Sequence, residues 1–159
     1  MGRFQKQWAL RVLGISCLLL LLFYFFSNYK MARVSGDSMA PIIQNNELVV
    51  IQKNQLPHRY DLVAFEHEGL LIVKRVIGVP GDSYARSGNR LLLGASGSYY
   101  DFSYTFTLTQ ETARELPVGG ILQPGEYFVV GDAIMHSIDS REFGMVTSEA
   151  LRGVVLNFF

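Results

Sequence analysis

The stretch from Val12 to Tyr29 holds 18 residues without a formal charge, among them Leu18-Leu19-Leu20-Leu21-Leu22-Phe23-Tyr24-Phe25-Phe26, and it sets the first limit on the fold. At a rise of about 1.5 Å per residue, such a helix is near the shortest that crosses a hydrocarbon core of about 30 Å. A helix that is apolar on every side needs lipid, or a large protein, around it. A cleavable leader is the main rival. The apolar region of a leader usually spans only about 7–15 residues, and here Ser27-Asn28-Tyr29-Lys30 offers no Ala-x-Ala-like exit. The sequence therefore predicts a retained transmembrane helix over 12–29, preceded by a short segment 1–11 and followed by one domain over 30–159. Arg3, Lys6 and Arg11 precede the helix, while Lys30 and Arg33 follow it. The positive-inside rule then assigns segment 1–11 to the cytoplasm, by one residue and the α-amino group, and the domain to the other side.

What remains beyond a tether of roughly 30 residues suffices for one domain with its own core. Lys plus Arg equals Asp plus Glu at 14 each, and this neutrality argues against a nucleic-acid partner, which would show as a basic face. Cys17 is the one cysteine and lies inside the apolar run, so it forms no internal disulfide and says little about compartment. His58, His67 and His136 are far apart, and no Cys/His cluster has metal-ligand spacing; neither a metal nor another cofactor is expected.

Beyond the anchor, short β-rich runs alternate with turn residues. Candidate strands are Glu47-Leu48-Val49-Val50-Ile51, Asp61-Leu62-Val63-Ala64-Phe65, the run from Leu70 to Gly78, Leu91-Leu92-Leu93, Glu126-Tyr127-Phe128-Val129-Val130, and the closing run from Gly153 to Phe159. Val79-Pro80-Gly81-Asp82 is a turn by composition. Short helices are expected only within Ser103–Glu115 and Thr147–Leu151, and Ser83–Gln123, rich in Ser, Gly and Tyr, carries little readable pattern. The fold class is mainly β, a sandwich or partly open barrel behind a single-pass N-terminal helix.

Three clusters could carry chemistry. Ser38 lies in the glycine-containing loop Ser35-Gly36-Asp37-Ser38-Met39-Ala40-Pro41; an isolated serine in such a place is ordinarily a turn residue. Lys74 interrupts an apolar strand and shares parity with Ile72 and Val76. A lysine on an apolar face either snorkels to water at a sheet edge or loses its proton, and in the second case it can activate a serine hydroxyl. The third cluster is Gly131-Asp132-Ala133-Ile134-Met135-His136-Ser137-Ile138-Asp139-Ser140-Arg141-Glu142-Phe143-Gly144. Asp132, Asp139 and Arg141 are close enough in sequence for an arginine–carboxylate network that fixes a loop. His136 invites a Ser-His-Asp reading with Asp139 or Asp132, but no pattern around it would orient the ring.

Together these segments resemble the type I signal peptidases, membrane-bound Ser/Lys endopeptidases that remove signal peptides from exported proteins. Ser35–Pro41 matches the family's nucleophile box, and Arg59-Tyr60-Asp61-Leu62-Val63-Ala64-Phe65 its R-x-D-hydrophobic-V-x-F strand. Lys74–Asp82 is similar to the K-R-x-x-G-x-P-G-D box, and Gly131–Gly144 to the G-D-N-x-x-x-S-x-D-S-R-x-x-G box. The four boxes stand in the family's order. The resemblance implies a catalytic β domain on the outer membrane face and cleavage after a small-x-small motif. It implies Ser38 as nucleophile, Lys74 as general base and Ser137 as a hydrogen-bond partner orienting the lysine, with Asp132, Asp139 and Arg141 holding the loop. The backbone N–H of Ser38 would contribute to the oxyanion hole. Some relatives add a serine hydroxyl two residues before the nucleophile; here that position is Gly36. Ala133 departs from the family's usual asparagine, and Ile134-Met135 from its usual polar residues.

The implied partners are the signal peptides of preproteins, with pilins or other surface proteins as candidates for a dedicated substrate set, and the lipid bilayer. A second reading is a membrane-anchored assembly factor or chaperone for surface structures such as pili. Such a protein has no reason to keep Ser38, Lys74 and Ser137 together. A self-cleaving regulator of the SOS-repressor type also uses a Ser/Lys pair on a β fold, but it would carry a DNA-binding head in place of the apolar helix.

Overall fold

The computed structural model describes residues 2–94 and 103–156. Helix α1 runs from Arg3 to Asn28, and none of its apolar part, Leu10–Asn28, is buried by the other described residues. Tyr29, the last residue of the charge-free run, is already the first residue of a strand. The elements then follow as β1 (Tyr29–Arg33), β2 (Leu48–Gln52), β3 (Leu62–His67), β4 (Leu70–Gly78), β5 (Ser83–Ser87), β6 (Arg90–Leu93) and β7 (Tyr104–Thr107). After helix α2 (Gln110–Glu115) come β8 (Gly119–Ile121), β9 (Glu126–Val130), a 3₁₀ turn at Ile134–His136, α3 (Ser140–Phe143), β10 (Val146–Thr147) and β11 (Leu151–Leu156). One sheet has seven strands in the order β1-β2-β11-β3-β4-β9-β10, and a smaller one has four in the order β7-β6-β5-β8. The mainly β architecture is the one expected.

Central strands are buried on both faces, which is why they read as continuous apolar runs. In β3, Leu62 and Ala64 enter one core with Met39, Ile43, Ile51 and Val73, while Val63 and Phe65 enter another with Val76, Tyr127 and Val129. β9 divides the same way: Tyr127 and Val129 join that second core, and Phe128 and Val130 pack beneath the small sheet with Leu91, Leu93, Leu122 and Ala113. Phe65 and Phe128 are each 1% exposed, and full burial of such a side chain is worth about 1.5–3 kcal/mol. β11 slips between β2 and β3 through a bulge at Leu151/Gly153. Gly153, at φ +141°, is required there, because a Cβ would collide with the carbonyl of Gln52.

Two helix expectations change. In Thr147–Leu151 only i→i+3 bonds form, Ala150 N–H to Thr147 O and Leu151 N–H to Ser148 O, and Leu151 then pairs with Phe65 as the start of β11. Sheet pairing overrides a weak local preference. Within Ser103–Glu115, the first part is β7, paired with β6, and only Gln110–Glu115 is helical. Thr109 caps that helix by accepting from the Thr112 N–H, and Thr112 and Ala113 are its buried residues. Of the closing run, 153–156 belongs to β11, and 157–159 lies outside the described residues.

Candidate active site

Ser38 is presented by the loop between β1 and β2, which is closed at its base by Val34 N–H to Glu47 O (2.9 Å) and Asn46 N–H to Val34 O (2.8 Å). Gly36 takes φ +92° and donates its N–H to Asn45 Oδ1 at 3.0 Å. Next to Ser38, Met39 is fully buried and anchors the turn in the first core. The serine hydroxyl therefore sits on a loop held at both ends and at its centre. Among the described residues, no acceptor takes the Ser38 N–H.

Lys74 occupies the middle of β4, opposite Val63 in β3 and two residues from Val76. It is 2% exposed, and its Nζ donates to Ser38 Oγ at 2.5 Å. Burial, the largest influence, pushes the pKa of this amine below the ordinary lysine value; Asp139 opposes the shift, Arg141 adds to it and Asp132 opposes it. The net direction favours the neutral amine.

The loop from Gly131 to Gly144 packs over this pair and is fixed by arginine–aspartate ion pairs. Asp139 is fully buried; its two oxygens accept from Arg141 Nε and Nη2, each at 2.8 Å, and Oδ2 also accepts from Gly131 N–H at 2.9 Å. Burial alone would raise the Asp139 carboxyl, but the Arg141 guanidinium and the Gly131 N–H outweigh it and hold the pKa below the ordinary aspartate value. Arg141 Nη2 reaches on to the Ile134 carbonyl at 2.8 Å. Asp132 is not part of this pair: it accepts from Arg75 Nε (2.8 Å) and Nη2 (2.6 Å). The expected single network is thus two bidentate pairs, because Arg75 follows Lys74 on β4 and leaves the strand on the opposite side.

Ser137 Oγ is buried and, among the described residues, has no hydrogen-bond partner. Its nearness adds to the pull on the Asp139 carboxylate without reaching bonding geometry. The hydrogen bond from Ser137 to Lys74 that the resemblance implied is not made, since the lysine amine turns to Ser38 instead. The side chain is tucked over Gly131, where any Cβ would overlap Ser137 Oγ. Ala133 needs no side chain for its part, because its backbone N–H donates to Ser38 O at 3.0 Å. His136 is exposed at the edge of the cleft, and Asp139 spends its oxygens on Arg141 and Gly131 rather than on the imidazole.

Sequence reasoning missed two contributors. Arg75 ties the lysine's strand to Asp132. Arg59 Nη2 pairs at 2.6 Å with the fully buried Asp82, whose other oxygen accepts from Val79 N–H, so the first residue of one box closes the last residue of another. The available signal was co-occurrence of an arginine and an aspartate at the ends of two quoted boxes, which by itself names no partner. Ser38 and Lys74 open into a cleft of about 300 Å³ lined also by Val34, Leu71, Ile72, Val73 and Ile138.

A buried lysine in contact with a loop serine, beside an apolar cleft on a β domain with an uncovered apolar helix, has the form of a membrane-associated serine hydrolase. Residues 5–159 match the family described as signal peptidase, peptidase S26, and the chain belongs to that family. Signal peptidase I of Streptococcus pneumoniae is 39% identical over 190 residues, covering 94% of this chain and 90% of the relative. Signal peptidase I of Bacillus caldolyticus is 31% identical over 147 residues (83% and 78%), and signal peptidase I V of Bacillus subtilis is 29% identical over 150 residues (82% and 83%). A crystal structure of a signal peptidase I from Enterococcus faecalis, 30% identical, covers 64% of this chain and 98% of its own, with a TM-score of 0.45. The protein is a signal peptide-removing peptidase, a serine endopeptidase. The family is membrane-associated, and α1 fits an anchor. The assembly-factor reading finds no support in these relatives.

Proposed function

We propose that Ser38 and Lys74 are the catalytic dyad. With the amine neutral, the 2.5 Å contact carries the serine proton to Lys74 as Ser38 Oγ attacks the scissile carbonyl. The tetrahedral oxyanion is stabilised by the unused N–H of Ser38. Lys74 then returns the proton to the departing amine, leaving an ester on Ser38, and a water deprotonated by the neutral Lys74 amine hydrolyses that ester and releases the signal peptide. The observation that carries this reading is the burial of Lys74 at 2% exposure in contact with Ser38 of the nucleophile box. When Ser38 Oγ is esterified, the lysine loses that neighbour, and the unpaired Ser137 hydroxyl is the group able to orient it for deacylation. Asp139–Arg141 and Asp132–Arg75 hold Ser137 and Ala133 against the pair.

The cleft of about 300 Å³ is walled by the apolar side chains of Val34, Leu71, Ile72 and Ile138, and membership of the signal peptidase family supports cleavage after a small-x-small motif. The substrates are preproteins at the bilayer, pilins or other surface proteins among them, and the domain stands outside the cytoplasm. Incubating the purified chain in detergent with several preproteins, and mapping the new N-termini, tests the specificity; Ser38→Ala should abolish the products while leaving the fold intact. Products formed by Ser38→Ala at the parent rate would sink the dyad. A protease added to spheroplasts should digest a tag after Phe159 and spare one before Arg3, and the reverse would overturn the topology.

A further inference from the structure

The joint between α1 and the sheet contains no linker. Asn28 is the last helical residue and Tyr29 the first of β1, so a swing of the domain on its anchor needs rotation at one or two residues only. A helix ends with four carbonyls that lack intrahelical donors. Here the residue that follows β2 supplies donors for two of them. Lys53, the residue after Gln52, which pairs with Tyr29, gives its backbone N–H to Asn28 O at 2.8 Å and its Nζ to Phe26 O at 3.0 Å. Tyr29 N–H bonds Phe25 O, and the Phe25 and Tyr29 rings stack at 5.1 Å. The Nζ contact joins a cation to the negative end of the helix dipole. It also lies near the end of the apolar span. From β2 the connection runs through β11 and β3 to β4, the strand of Lys74.

We propose that Lys53 is a positioning residue that locks the catalytic domain to its membrane helix, so that the Ser38 cleft meets a bilayer-held signal peptide at one fixed depth. The proposal rests on the dyad reading above. It predicts that the lock matters for a substrate held in the membrane and not for one delivered from water. A soluble peptide can reach the cleft whatever its height over the bilayer.

The test uses the full chain in phosphatidylcholine–phosphatidylglycerol vesicles. It compares a preprotein embedded by its signal peptide with a short water-soluble peptide carrying a small-x-small site. Lys53→Met should slow processing of the embedded preprotein by about 2- to 10-fold, the value of one net hydrogen bond, and leave peptide cleavage at the parent rate. Lys53→Arg, which keeps a cationic donor, should restore preprotein processing. Equal losses on both substrates, no loss on either, or failure of Lys53→Arg to rescue would overturn the proposal. Ser38→Ala, run alongside, should abolish both reactions; peptide cleavage surviving in it would overturn the dyad instead. Nitroxides at Leu20→Cys and Gln55→Cys, in a Cys17→Ser background, provide the structural readout. One narrow spin–spin distance should broaden on adding Lys53→Met, and equal widths would refute the lock.

Discussion

Gly131→Ala is the smallest change that should disable the site, and the structure gives its size. A Cβ at this position would lie 2.6 Å from Ser137 Cβ and 2.7 Å from Ser38 O, and closer still to Ser137 Oγ. Restoring ordinary contact, 3.4 Å or more, requires Ser38 O to retreat by about 0.7 Å, Ser137 Cβ by about 0.8 Å and Ser137 Oγ by about 1.3 Å. Neither serine can do so freely. Ser38 O is held by Ala133 N–H, and Ser137 is confined by the Arg141–Asp139 pair two and four residues on. Overpacking of this kind costs about 1–3 kcal/mol, and a displacement approaching 1 Å in a reacting geometry costs about 10²-fold in rate. The expected result is a fall of about two orders of magnitude in kcat, little change in KM, and a midpoint lowered by a few degrees. Preprotein cleavage in detergent and a thermal melt measure both. A variant within threefold of the parent rate, with the parent's melting midpoint, would refute the packing of Gly131 between the two serines.

Other perturbations follow from the same geometry. Arg141→Ala leaves Asp139 buried without its cation and should cost about 3–5 kcal/mol in denaturant unfolding; an unchanged midpoint would contradict the burial of that pair. Because the folded-state pKa of Asp139 is lowered, its stabilisation is present above the unfolded value of about 3.9 and is lost as pH falls through the folded value. Asp139→Asn should therefore flatten the acid limb of the stability curve, and an unaltered limb would speak against the pairing. The lowered pKa of Lys74 has the opposite sense: below it the folded state carries a desolvated charge, and stability rises with pH from there to the unfolded value of about 10.4. Lys74→Met should thus melt above the parent at neutral pH, and a lower midpoint would mean the amine is not penalised by burial. Gly36→Ser has open space for its side chain but inherits φ +92°, so it should lose about 1–2 kcal/mol and gain far less than the 10²–10³-fold worth of a well-placed oxyanion donor; a hundredfold faster variant would contradict this.

Apolar strands were the legible part of the fold. The runs of β2, β3, β4 and β9 are apolar and β-branched, and turn residues bound them; β3 and β9 are buried on both faces, β2 on one. β1 was hidden because Tyr-Lys-Met-Ala-Arg has no alternation and adjoins the anchor; it is a strand because β2 pairs with it along its length. β5, β7 and β8 were hidden for another reason. Their serines, glycines, tyrosines and arginines bury little by themselves, and Leu91, Leu93, Leu122 and Phe128 supply the core beneath them. At the site, residue types and order pointed to Ser38, Lys74 and the Gly131–Gly144 loop. Pairing did not follow, since a sequence cannot tell that Asp132 meets Arg75 from β4 while Asp139 meets Arg141 beside it.

The dyad is tested most directly by the pH dependence of cleavage in the parent beside Lys74→Arg and Lys74→Met. Burial lowers the Lys74 pKa, so the rate should rise with pH through an apparent pKa below the ordinary value of about 10.4 and level off once the amine is neutral. Lys74→Arg should be inactive at every pH, because a guanidinium cannot give up its proton in this range. Lys74→Met should be equally inactive yet well folded. Substantial cleavage by Lys74→Arg, or a parent rate that does not rise until the ordinary lysine range, would contradict the account and return His136 at the cleft edge to consideration as the base.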